Sequence, residues 1–418
     1  MRSIVIIGNG IAGITAARHI RKHSRDSVTI ISAESPYHFS RPALMYLYMG
    51  SLSFDHCKPY PDNFWKDNDL TLVHEYVEAI VPSQTVVRLS SGRDIYYDEL
   101  IIATGSVARR LPFDTGDISG MLSFISLDDV ARLERELNSS SKVLIVGGGL
   151  IGVELAEMMR SRGIDSMMVV RESSYWGNYL PSEESSIITR HLREKNVTVL
   201  YGREIKDCLQ ENGRLTHCIT NHNEIIACTH CIVAIGVRPN IGVCSESGIV
   251  TSQGIVTDEY FRTSVPNVYA IGDCAEICFP DGTRSIEPLW YAGRRHGETV
   301  AQTICGSPRA YSKGIWFNSA KFFDVEFQEY GEKRSTYSLF YEFPDGRRSI
   351  RIVYDAERRV RGFMVLGVRY RHKVCEQWIT EGASMDDIIL RLEEANCDPE
   401  FTDRHESAIR ALYERKKH

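Results

Sequence analysis

The amino-terminal segment has a short apolar run, then three closely spaced glycines, then apolar residues at helical spacing. Ser3 to Ile7 predicts a strand and Ile14 to Lys22 predicts a helix. The glycines between them are Gly8, Gly10 and Gly13. In such a turn the first glycine allows a sharp bend, the second lets the backbone approach a pyrophosphate, and the third lets the helix pack on the strand. The helix then points its unpaired N–H groups at the phosphates.

The same order of features returns 139 residues further along the chain. Lys142 to Val146 predicts a strand, and Val153 to Arg162 predicts a helix. The glycines between them are Gly147, Gly149 and Gly152. The strands that follow the two helices are Val28 to Ile31 and Ser166 to Val170. Two copies with the same flanking elements predict two Rossmann-like dinucleotide-binding domains.

Other patterns along the chain predict β-structure. Between the glycine motifs, β-branched and aromatic residues alternate in three segments, which predicts a small antiparallel meander. The segments are Leu70 to Val77, Thr85 to Leu89 and Asp94 to Tyr97. Two further apolar strands end in the polar motifs Thr104-Gly105 and Gly272-Asp273.

The pattern changes after about residue 309, where no glycine-rich phosphate motif is found. Three successive strands joined by turns are predicted, followed by a helix. The strands are Ser338 to Glu342, Ser349 to Tyr354 and Val360 to Leu366, and the helix is Asp386 to Glu394. This part of the chain is predicted to form an α+β domain.

Composition narrows the function classes. The 418 residues are 43% hydrophobic and 25% charged, with a net charge of −6, which argues against a nucleic-acid partner. No window approaches the roughly 20 apolar residues of a membrane span, and the apolar run at the start is too short for a signal peptide. Eleven irregularly spaced cysteines indicate reduced thiols. We therefore expect a cytoplasmic protein.

With these motifs in this order, the chain resembles the FAD-dependent pyridine-nucleotide oxidoreductases that carry two dinucleotide-binding domains. The resemblance implies an α/β fold of the glutathione-reductase-like type, with two Rossmann-like domains and a C-terminal α+β domain. It implies an FAD-binding domain at 1–112 and 241–308, an NAD(P)H-binding domain at 113–240, and an interface-type domain at 309–418.

The resemblance implies flavin contacts at residues of the first domain. It places the pyrophosphate at the first glycine turn, the adenosine ribose on Glu34 and a ribityl hydroxyl on Asp273. The full set is Gly8, Gly10, Ile11, Ala12, Gly13, Glu34, Arg41, Pro42, Val77, Thr104, Gly105, Gly272, Asp273 and Trp290. Glu34 is alternatively a solvated turn carboxylate, Asp273 a helix cap, and Trp290 a core tryptophan.

The resemblance implies that NADPH or NADH binds at the second glycine turn. The residues of this turn are Gly147, Gly149, Leu150, Ile151 and Gly152. Arg171 follows the usual acidic position and would pair with the 2′-phosphate of NADPH. Glu172 would instead accept the ribose hydroxyls of NADH. The pattern slightly favours NADPH.

The chain departs from the thiol-dependent members of the superfamily. Pro42 stands where a single redox cysteine would lie, Cys57 lies too far along, and the paired-cysteine motif is absent. In many thiol-free reductases a lysine pairs with a glutamate near the flavin, and this sequence has Glu154 for the glutamate but Tyr46 at about the lysine position. Glu154 is the candidate catalytic residue, and an unpaired buried carboxylate is driven towards its neutral form.

These features resemble rubredoxin, ferredoxin and putidaredoxin reductases and the flavin parts of nitrite reductases. The implied function is hydride uptake from NAD(P)H by FAD, followed by electron transfer to a small acidic carrier protein. An oxidase that reduces oxygen or a quinone, and a redox-sensing protein resembling apoptosis-inducing factor, are the alternatives. The oligomeric state is open, with a homodimer as one option.

Two local patterns have competing interpretations. Residues 345–373 hold nine basic side chains against three acidic ones, which is either a docking surface for an acidic carrier or a solvated face. The basic residues are Arg347, Arg348, Arg351, Arg358, Arg359, Arg361, Arg369, Arg371 and Lys373. Cys228 and Cys231 form a CxxC pair without further matched ligands, so buried thiols are favoured over zinc and no metal is predicted.

Overall fold

The computed structural model describes residues 1–397, 400 and 404–417. The chain divides into two compact units. Unit 1 comprises Met1–Leu111, Leu122–Asn138 and Ile235–Ser312. Unit 2 comprises Pro112–Met121, Ser139–Ala234 and Lys313–His418. The division into three domains with the boundaries given above remains a prediction.

The helices and strands are numbered in chain order. The α-helices are α1 (Ile11–His23), α2 (Leu44–Tyr48), α3 (Phe54–Cys57), α4 (Phe64–Asp67), α5 (Leu127–Glu136), α6 (Leu150–Ser161), α7 (Ser182–Glu194), α8 (Trp290–Ile304), α9 (His372–Glu381), α10 (Met385–Leu390) and α11 (Glu406–Lys417). The strands are β1 (Ser3–Ile7), β2 (Ser27–Ser32), β3 (Leu70–His74), β4 (Val77–Val81), β5 (Val86–Leu89), β6 (Asp94–Tyr96), β7 (Glu99–Ile102), β8 (Ser106–Ala108), β9 (Met121–Leu122), β10 (Lys142–Val146), β11 (Asp165–Val170), β12 (Thr198–Tyr201), β13 (Ile205–Glu211), β14 (Arg214–Thr220), β15 (Ile225–Ala227), β16 (His230–Val233), β17 (Val237–Pro239), β18 (Ile255–Thr257), β19 (Val268–Ala270), β20 (Ala275–Cys278), β21 (Arg284–Ser285), β22 (Phe317–Phe322), β23 (Val325–Gly331), β24 (Tyr337–Glu342), β25 (Ser349–Tyr354) and β26 (Val360–Leu366).

A parallel sheet in the order β19-β7-β1-β2-β3 forms the centre of unit 1. Ile4 and Ile6 belong to one hydrophobic cluster, whereas Val5 and Ile7 belong to another on the opposite face. Both faces of the sheet are therefore covered, which explains why β1 is an unbroken apolar run and not an alternating one. Because all these strands are parallel, the carboxyl ends of β1, β2 and β7 lie at one edge of the sheet.

The predicted meander is partly wrong. Strands β4, β5 and β6 do form an antiparallel sheet. The segment Leu70 to Val77, however, is not one strand, because β3 ends at His74 and pairs in parallel with β2 in the central sheet. Its apolar residues serve the core of the parallel sheet, and only from Val77 does the chain enter the meander.

Unit 2 contains a second sheet whose strand order β16-β10-β11-β12 repeats the β7-β1-β2-β3 order of unit 1. These pairs are parallel, and the short strand β9 continues the sheet next to β16. A separate antiparallel sheet, β13-β14-β15, follows in the chain. The two glycine motifs thus lie at equivalent places in two similar sheets.

The C-terminal part of unit 2 is a mixed α and β layer, as predicted. Its antiparallel sheet has the order β22-β23-β26-β25-β24, and α9, α10 and α11 contribute residues to the same hydrophobic cluster. The sheet binds α7 through a buried ion pair in which Arg351 contacts both oxygens of Glu184 at 2.7 and 3.0 Å. The predicted helix Asp386 to Glu394 is too long, since α10 ends at Leu390 and a separate 3-10 turn follows at Leu392–Ala395.

No helix among the described residues is long and apolar enough to cross a membrane.

Candidate functional site

Glycine occupies the three positions of the first motif for different structural reasons. Gly8 has φ +114°, and a Cβ atom there would lie 2.1 Å from the carbonyl oxygen of Ala103. A Cβ atom at Gly13 would lie 2.1 Å from the carbonyl oxygen of Gly8. Gly10 has φ −67° and no atom of the described chain within 4 Å of its Cβ position. The protein itself therefore needs glycine at Gly8 and Gly13, whereas the space at Gly10 is open for a ligand.

The second motif repeats this distribution. Gly147 has φ +129°, and a Cβ atom at Gly152 would lie 2.2 Å from the carbonyl oxygen of Gly147. Gly149 has φ −89°, and the space around its Cβ position is open to 4 Å within the described chain. Each turn therefore provides one glycine whose missing side chain leaves room for an approaching group.

Both motifs end in a helix N-terminus without a side-chain cap among the described residues. Gly10 precedes Ile11 and Ala12 in α1, and Gly149 precedes Leu150 and Ile151 in α6. The first N–H groups of each helix are left for a ligand to bind, and the helix dipole favours a negative charge there. The structure thus fits the pyrophosphate positions that the sequence predicts.

Two elements of unit 1, the turn at Gly272 and helix α8, approach Ala12 in the first turn of α1. A Cβ atom at Gly272 would lie 3.0 Å from the Cβ atom of Ala12, and one at Gly293 of α8 would lie 3.7 Å from it. Asp273 follows Gly272 in a 3-10 turn, and its Oδ2 atom accepts a hydrogen bond from Ser106 Oγ at 2.7 Å. Burial raises the pKa of Asp273, while the hydroxyl of Ser106 and the charge of Arg41 oppose this. The carboxylate is partly desolvated and suited to accept a further hydroxyl.

Glu34 is engaged by the protein and is not a solvated turn carboxylate. Its two oxygens accept hydrogen bonds from Arg41 at 3.0 and 2.5 Å, and Oε1 also accepts one from the backbone N–H of Leu127. Arg41 additionally donates to the carbonyl of Ile125 at 2.5 Å. Pro42 lies in the 3-10 turn that begins at Arg41. A carboxylate has about four lone-pair directions, so Glu34 retains capacity for a ribose hydroxyl.

The remaining predicted flavin residues lie in the same unit. Thr104 Oγ1 donates to the carbonyl of Asn240 at 2.6 Å, and the N–H of Asn240 donates to the carbonyl of Gly105. Val77 begins β4 at a bulge in its pairing with β5. Trp290 is the first residue of α8 and is 38% exposed, so the alternative of a buried core tryptophan is wrong.

Arg171 and Glu172 follow β11 in unit 2 and contact each other. Arg171 donates to Glu172 Oε1 at 3.2 Å, and Asn178 donates to the same oxygen at 2.8 Å. The side chain of Arg171 is 67% exposed, whereas that of Glu172 is 18% exposed. Glu172 is therefore held in place, and Arg171 is the more adaptable of the two.

Glu154 lies on α6 two residues after Gly152. Burial, and secondarily the charge of Glu157, raises the pKa of Glu154 to about 7. No cation pairs with its carboxylate within the described residues. The neutral form expected for an unpaired carboxylate is thus favoured up to neutral pH, while the role of Glu154 in catalysis remains a prediction.

A family model described as pyridine nucleotide-disulphide oxidoreductase matches residues 2–297. The chain belongs to this family. The match covers both glycine motifs, and it confirms the predicted superfamily, the oxidoreductase class and the use of FAD and NAD(P)H as cofactors.

Several relatives in the family are electron-transfer reductases. The chain is 30% identical over 364 residues to a ferredoxin–NAD(P)(+) reductase of Sphingomonas sp., covering 85% of this chain and 87% of the relative. It is 28% identical to a rubredoxin–NAD(+) reductase of Pseudomonas putida, covering 73% and 80% of the two chains. It is 27% identical to an NADH oxidase of Methanocaldococcus jannaschii, covering 73% and 70%.

Solved structures share the fold. A ferredoxin reductase from Rhodopseudomonas palustris aligns with a TM-score of 0.80 at 23% identity, covering 88% of this chain and 91% of that one. A covalent putidaredoxin reductase–putidaredoxin complex aligns with a TM-score of 0.79 at 18% identity, covering 100% and 99%. The predicted fold class is confirmed.

The family name refers to disulphides, so we asked whether the cysteines of this chain form disulphides or are free thiols. Each described cysteine is a free thiol, and Cys57 is buried with its pKa raised by burial. Cys218 and Cys228 lie 3.6 Å apart between their sulfur atoms, and the pKa of each thiol is raised. Within the described residues no three His, Cys, Asp or Glu side chains group as a metal site would require. Both cysteines of the CxxC pair, Cys228 and Cys231, are buried free thiols.

Ion pairs neutralise most of the basic stretch of this family member. Six of its nine cations contact carboxylates: Arg347, Arg348, Arg351, Arg358, Arg361 and Arg369. The side-chain cations of Arg359, Arg371 and Lys373 have no carboxylate within 4.0 Å among the described residues, although the backbone N–H of Arg359 donates to Asp355 Oδ1 at 2.8 Å. The field of this surface is therefore weaker than its sequence suggests.

The sequence did not indicate the residues that form hydrogen bonds to the predicted site residues and their turns. Ser106 binds Asp273, and Tyr175 donates to the carbonyl of Gly149 at 2.8 Å. Buried His38 binds the carbonyl of Asn9 through Nδ1 at 2.7 Å, and burial lowers its pKa to about 4. The partners in these contacts are 26 to 167 positions apart in the sequence. Two of the three contacts also end on a backbone carbonyl, which any residue type provides. No local pattern in the sequence indicates such pairs.

Proposed function

We propose that this protein takes hydride from NAD(P)H onto FAD and passes the electrons to a small electron-carrier protein without an active-site disulphide. The observation that carries the proposal is the pair of open glycines, Gly10 and Gly149, in two otherwise tightly packed turns. Neither residue has a steric reason within the described chain to be glycine. Both are explained if the backbone of each turn approaches a dinucleotide.

The FAD residues would act together in unit 1. The N–H groups of Ile11, Ala12 and Gly13 would bind the pyrophosphate, with Glu34 and Arg41 at the adenosine end and Asp273 at the ribityl chain. The uncapped N-terminus of α8 at Trp290 would favour the negative charge of a reduced flavin. Bound FAD accepts a hydride and releases its electrons singly. The protein's part is to bind, orient and tune this group.

The NAD(P)H residues would act in unit 2. Gly147, Gly149 and Gly152 with the first turn of α6 would bind the second pyrophosphate. Glu172, which accepts a hydrogen bond from Asn178, would accept ribose hydroxyls. Arg171 would bind a 2′-phosphate after leaving Glu172. Both NADH and NADPH are therefore candidate donors.

The acceptor is inferred from the relatives, several of which are named reductases of rubredoxin or ferredoxin. We infer a small acidic redox protein as the partner. Direct reduction of oxygen is the second candidate, because one relative is named an NADH oxidase. Rapid flavin reduction with slow reoxidation in air supports the carrier role, whereas rapid reoxidation supports the oxidase.

The test uses Gly10→Ala and Gly149→Ala, because neither added methyl group meets a non-neighbouring atom of the described chain within 4 Å. Wild type should bind about one FAD per chain. Gly10→Ala should lose FAD while it remains folded. Gly149→Ala should retain FAD but be reduced slowly by NAD(P)H at concentrations that saturate wild type. A wild-type chain that cannot be loaded with FAD would refute the proposal.

A further inference from the structure

A fully buried histidine lies behind the turn of Gly272 and Asp273. His296 is on α8, and its side chain has no exposed surface. The backbone N–H of Gly272 donates a hydrogen bond to His296 Nδ1 at 3.1 Å. An imidazole nitrogen accepts a hydrogen bond only when it carries no proton. The hydrogen bond therefore assigns the acceptor role to Nδ1 and leaves the proton of the imidazole on Nε2.

The protonated nitrogen faces a second buried group. Nε2 of His296 lies 3.5 Å from Oε2 of Glu287. The same oxygen accepts a hydrogen bond from the hydroxyl of Tyr311 at 2.6 Å, and Oε1 accepts one from Ser285 at 3.0 Å. Burial and the hydrogen bond to Glu287 raise the pKa of Tyr311, so this hydroxyl remains a donor. Glu287 thus accepts hydrogen bonds on both oxygens, and Nε2 of His296 lies close to its negative charge without forming a hydrogen bond to it.

Aromatic rings fix the orientation of the imidazole. The ring of Phe261 lies 4.7 Å from that of His296, and the ring of Tyr311 lies 4.7 Å away and nearly perpendicular at 87°. An apolar side chain would suit such surroundings equally well. The hydrogen bond to Gly272 is the interaction that an apolar side chain could not replace.

The Gly272–Asp273 turn depends on its hydrogen bond to His296. Gly272 has φ +73°, and its backbone lies against Ala12 at the first glycine turn. The next residue, Asp273, is the expected ribityl contact. The N–H of Gly272 is buried, and a buried donor without an acceptor costs about 1–3 kcal/mol. The turn would move to satisfy this group if the acceptor were lost.

We propose that His296 is a positioning residue that holds the Gly272–Asp273 turn in the conformation that binds the flavin. Glu287, which accepts a hydrogen bond from Tyr311, places its carboxylate 3.5 Å from Nε2 and so favours the tautomer in which Nδ1 accepts. This inference rests on the proposed function, because it takes Asp273 as a flavin ligand. It adds residues that neither the sequence motifs nor the family match assign.

Three substitutions distinguish the contribution of Nδ1 from that of Nε2. His296→Asn places an oxygen near the Nδ1 position and keeps the acceptor for Gly272. His296→Gln places an amide near the Nε2 position and keeps only a polar group that faces Glu287. His296→Leu removes both. The dissociation constant of FAD is measured on the apoprotein by quenching of flavin fluorescence, and the midpoint potential of the bound flavin is measured separately.

His296→Leu and His296→Gln should weaken FAD binding by about 10- to 100-fold, and both should shift the midpoint potential. His296→Asn should weaken binding by less than about tenfold and leave the potential near that of wild type. Tyr311→Phe should have a smaller effect than His296→Leu, because Ser285 still binds Glu287.

His191→Leu is the matched control, since His191 is also buried but lies on α7 of unit 2. It should leave FAD affinity unchanged.

Equal FAD affinities for the Asn and Gln variants would overturn the inference, and so would a Leu variant with the affinity and potential of wild type. Failure of wild-type apoprotein to bind FAD would instead refute the proposed function. The Asn and Gln comparison decides the matter even if the Leu variant does not fold.

Discussion

Three carboxylates of this chain differ in what balances their charge. Glu34 contacts the guanidinium of Arg41, whereas Asp273 has a hydroxyl as its direct partner and its pKa is raised by burial. Glu154 lies beside another carboxylate, and its pKa rises to about 7. A charged partner stabilises the ionised form, and burial without one disfavours it. Glu154 therefore changes its charge near neutral pH, which makes stability depend on pH there.

Replacing Glu154 by glutamine should stabilise the protein only at higher pH. In the folded state the pKa of Glu154 is raised above its value of 4.5 in the unfolded chain. Its contribution to stability is therefore lost progressively as the pH rises from about 4.5 through 7. At pH 8 Glu154→Gln should raise the free energy of unfolding by up to about 3 kcal/mol, and at pH 5 by less than about 1 kcal/mol. Urea unfolding at both values is the measurement, with exposed Glu78→Gln as the control. An equal effect at both pH values would contradict the assigned shift.

The choice of nicotinamide cofactor is a second prediction at this scale. If Arg171 binds the 2′-phosphate, Arg171→Ala should raise the KM for NADPH by about tenfold or more, as expected for a lost charged hydrogen bond, with little change for NADH. Glu172→Gln should have the opposite selectivity. Steady-state kinetics with both cofactors gives the answer. A wild type that strongly prefers NADH, or equal effects of Arg171→Ala on both, would favour Glu172 as the determinant.

At the scale of elements, the sequence predicts the bounds of a strand best where a run of apolar residues is followed directly by a glycine turn. Strands β1 and β10 have the predicted bounds, because an apolar run meets a glycine turn at each end point. Helix α1 begins at Ile11 and not at Ile14, since Gly13 packs inside the helix against Gly8. Strands β22 and β23 were not predicted, although β23 begins with the alternating residues Val325-Glu326-Phe327-Gln328. The role of His296 depends on a contact with a residue 24 positions away, which no local pattern encodes.

The packing of α1 against α8 leads to an element-scale prediction. A Cβ atom at Gly297 would lie 2.5 Å from the carbonyl oxygen of Ala12 and 2.8 Å from the backbone nitrogen of Ala16. Because both atoms belong to the backbone, the helices must separate to admit a methyl group. Gly297→Ala should lower the free energy of unfolding by about 1–3 kcal/mol and weaken FAD binding. Thermal unfolding of the apoprotein tests this. Gly10→Ala is the matched control and should leave apoprotein stability nearly unchanged.

At the scale of the whole molecule, the structure divides into two units with repeated sheets, one glycine turn in each. The sequence predicted both turns, because their glycines are constrained locally. It did not predict how the basic residues of the C-terminal part are used, since their partners Glu194, Glu184 and Glu326 lie elsewhere in the chain. Function at this scale depends on how many electrons the molecule stores and on what it delivers them to.

Electron storage should be limited to the flavin. The predicted absence of a redox thiol at the flavin means that anaerobic titration should take up two electrons per FAD. Alkylation of accessible cysteines should leave reduction of a dye by NAD(P)H largely intact. Uptake of four electrons per FAD would show a second redox centre and contradict the thiol-free assignment.

Docking of an acidic carrier at the basic stretch should depend on the cations that have no carboxylate partner among the residues that the structure describes. Arg371 and Lys373 flank the start of α9 and belong to this group, whereas Arg361 is paired with Asp355 at 2.8 Å. Charges at the rim of an interface mainly change association rates, and salt screens them. Arg371→Glu with Lys373→Glu should therefore slow reduction of an acidic ferredoxin-type carrier at low ionic strength and reduce its salt dependence. Reduction of a neutral quinone is the control and should be unchanged. Equal losses with both acceptors would indicate damage to the fold, and unchanged carrier kinetics would assign the stretch to a solvated face.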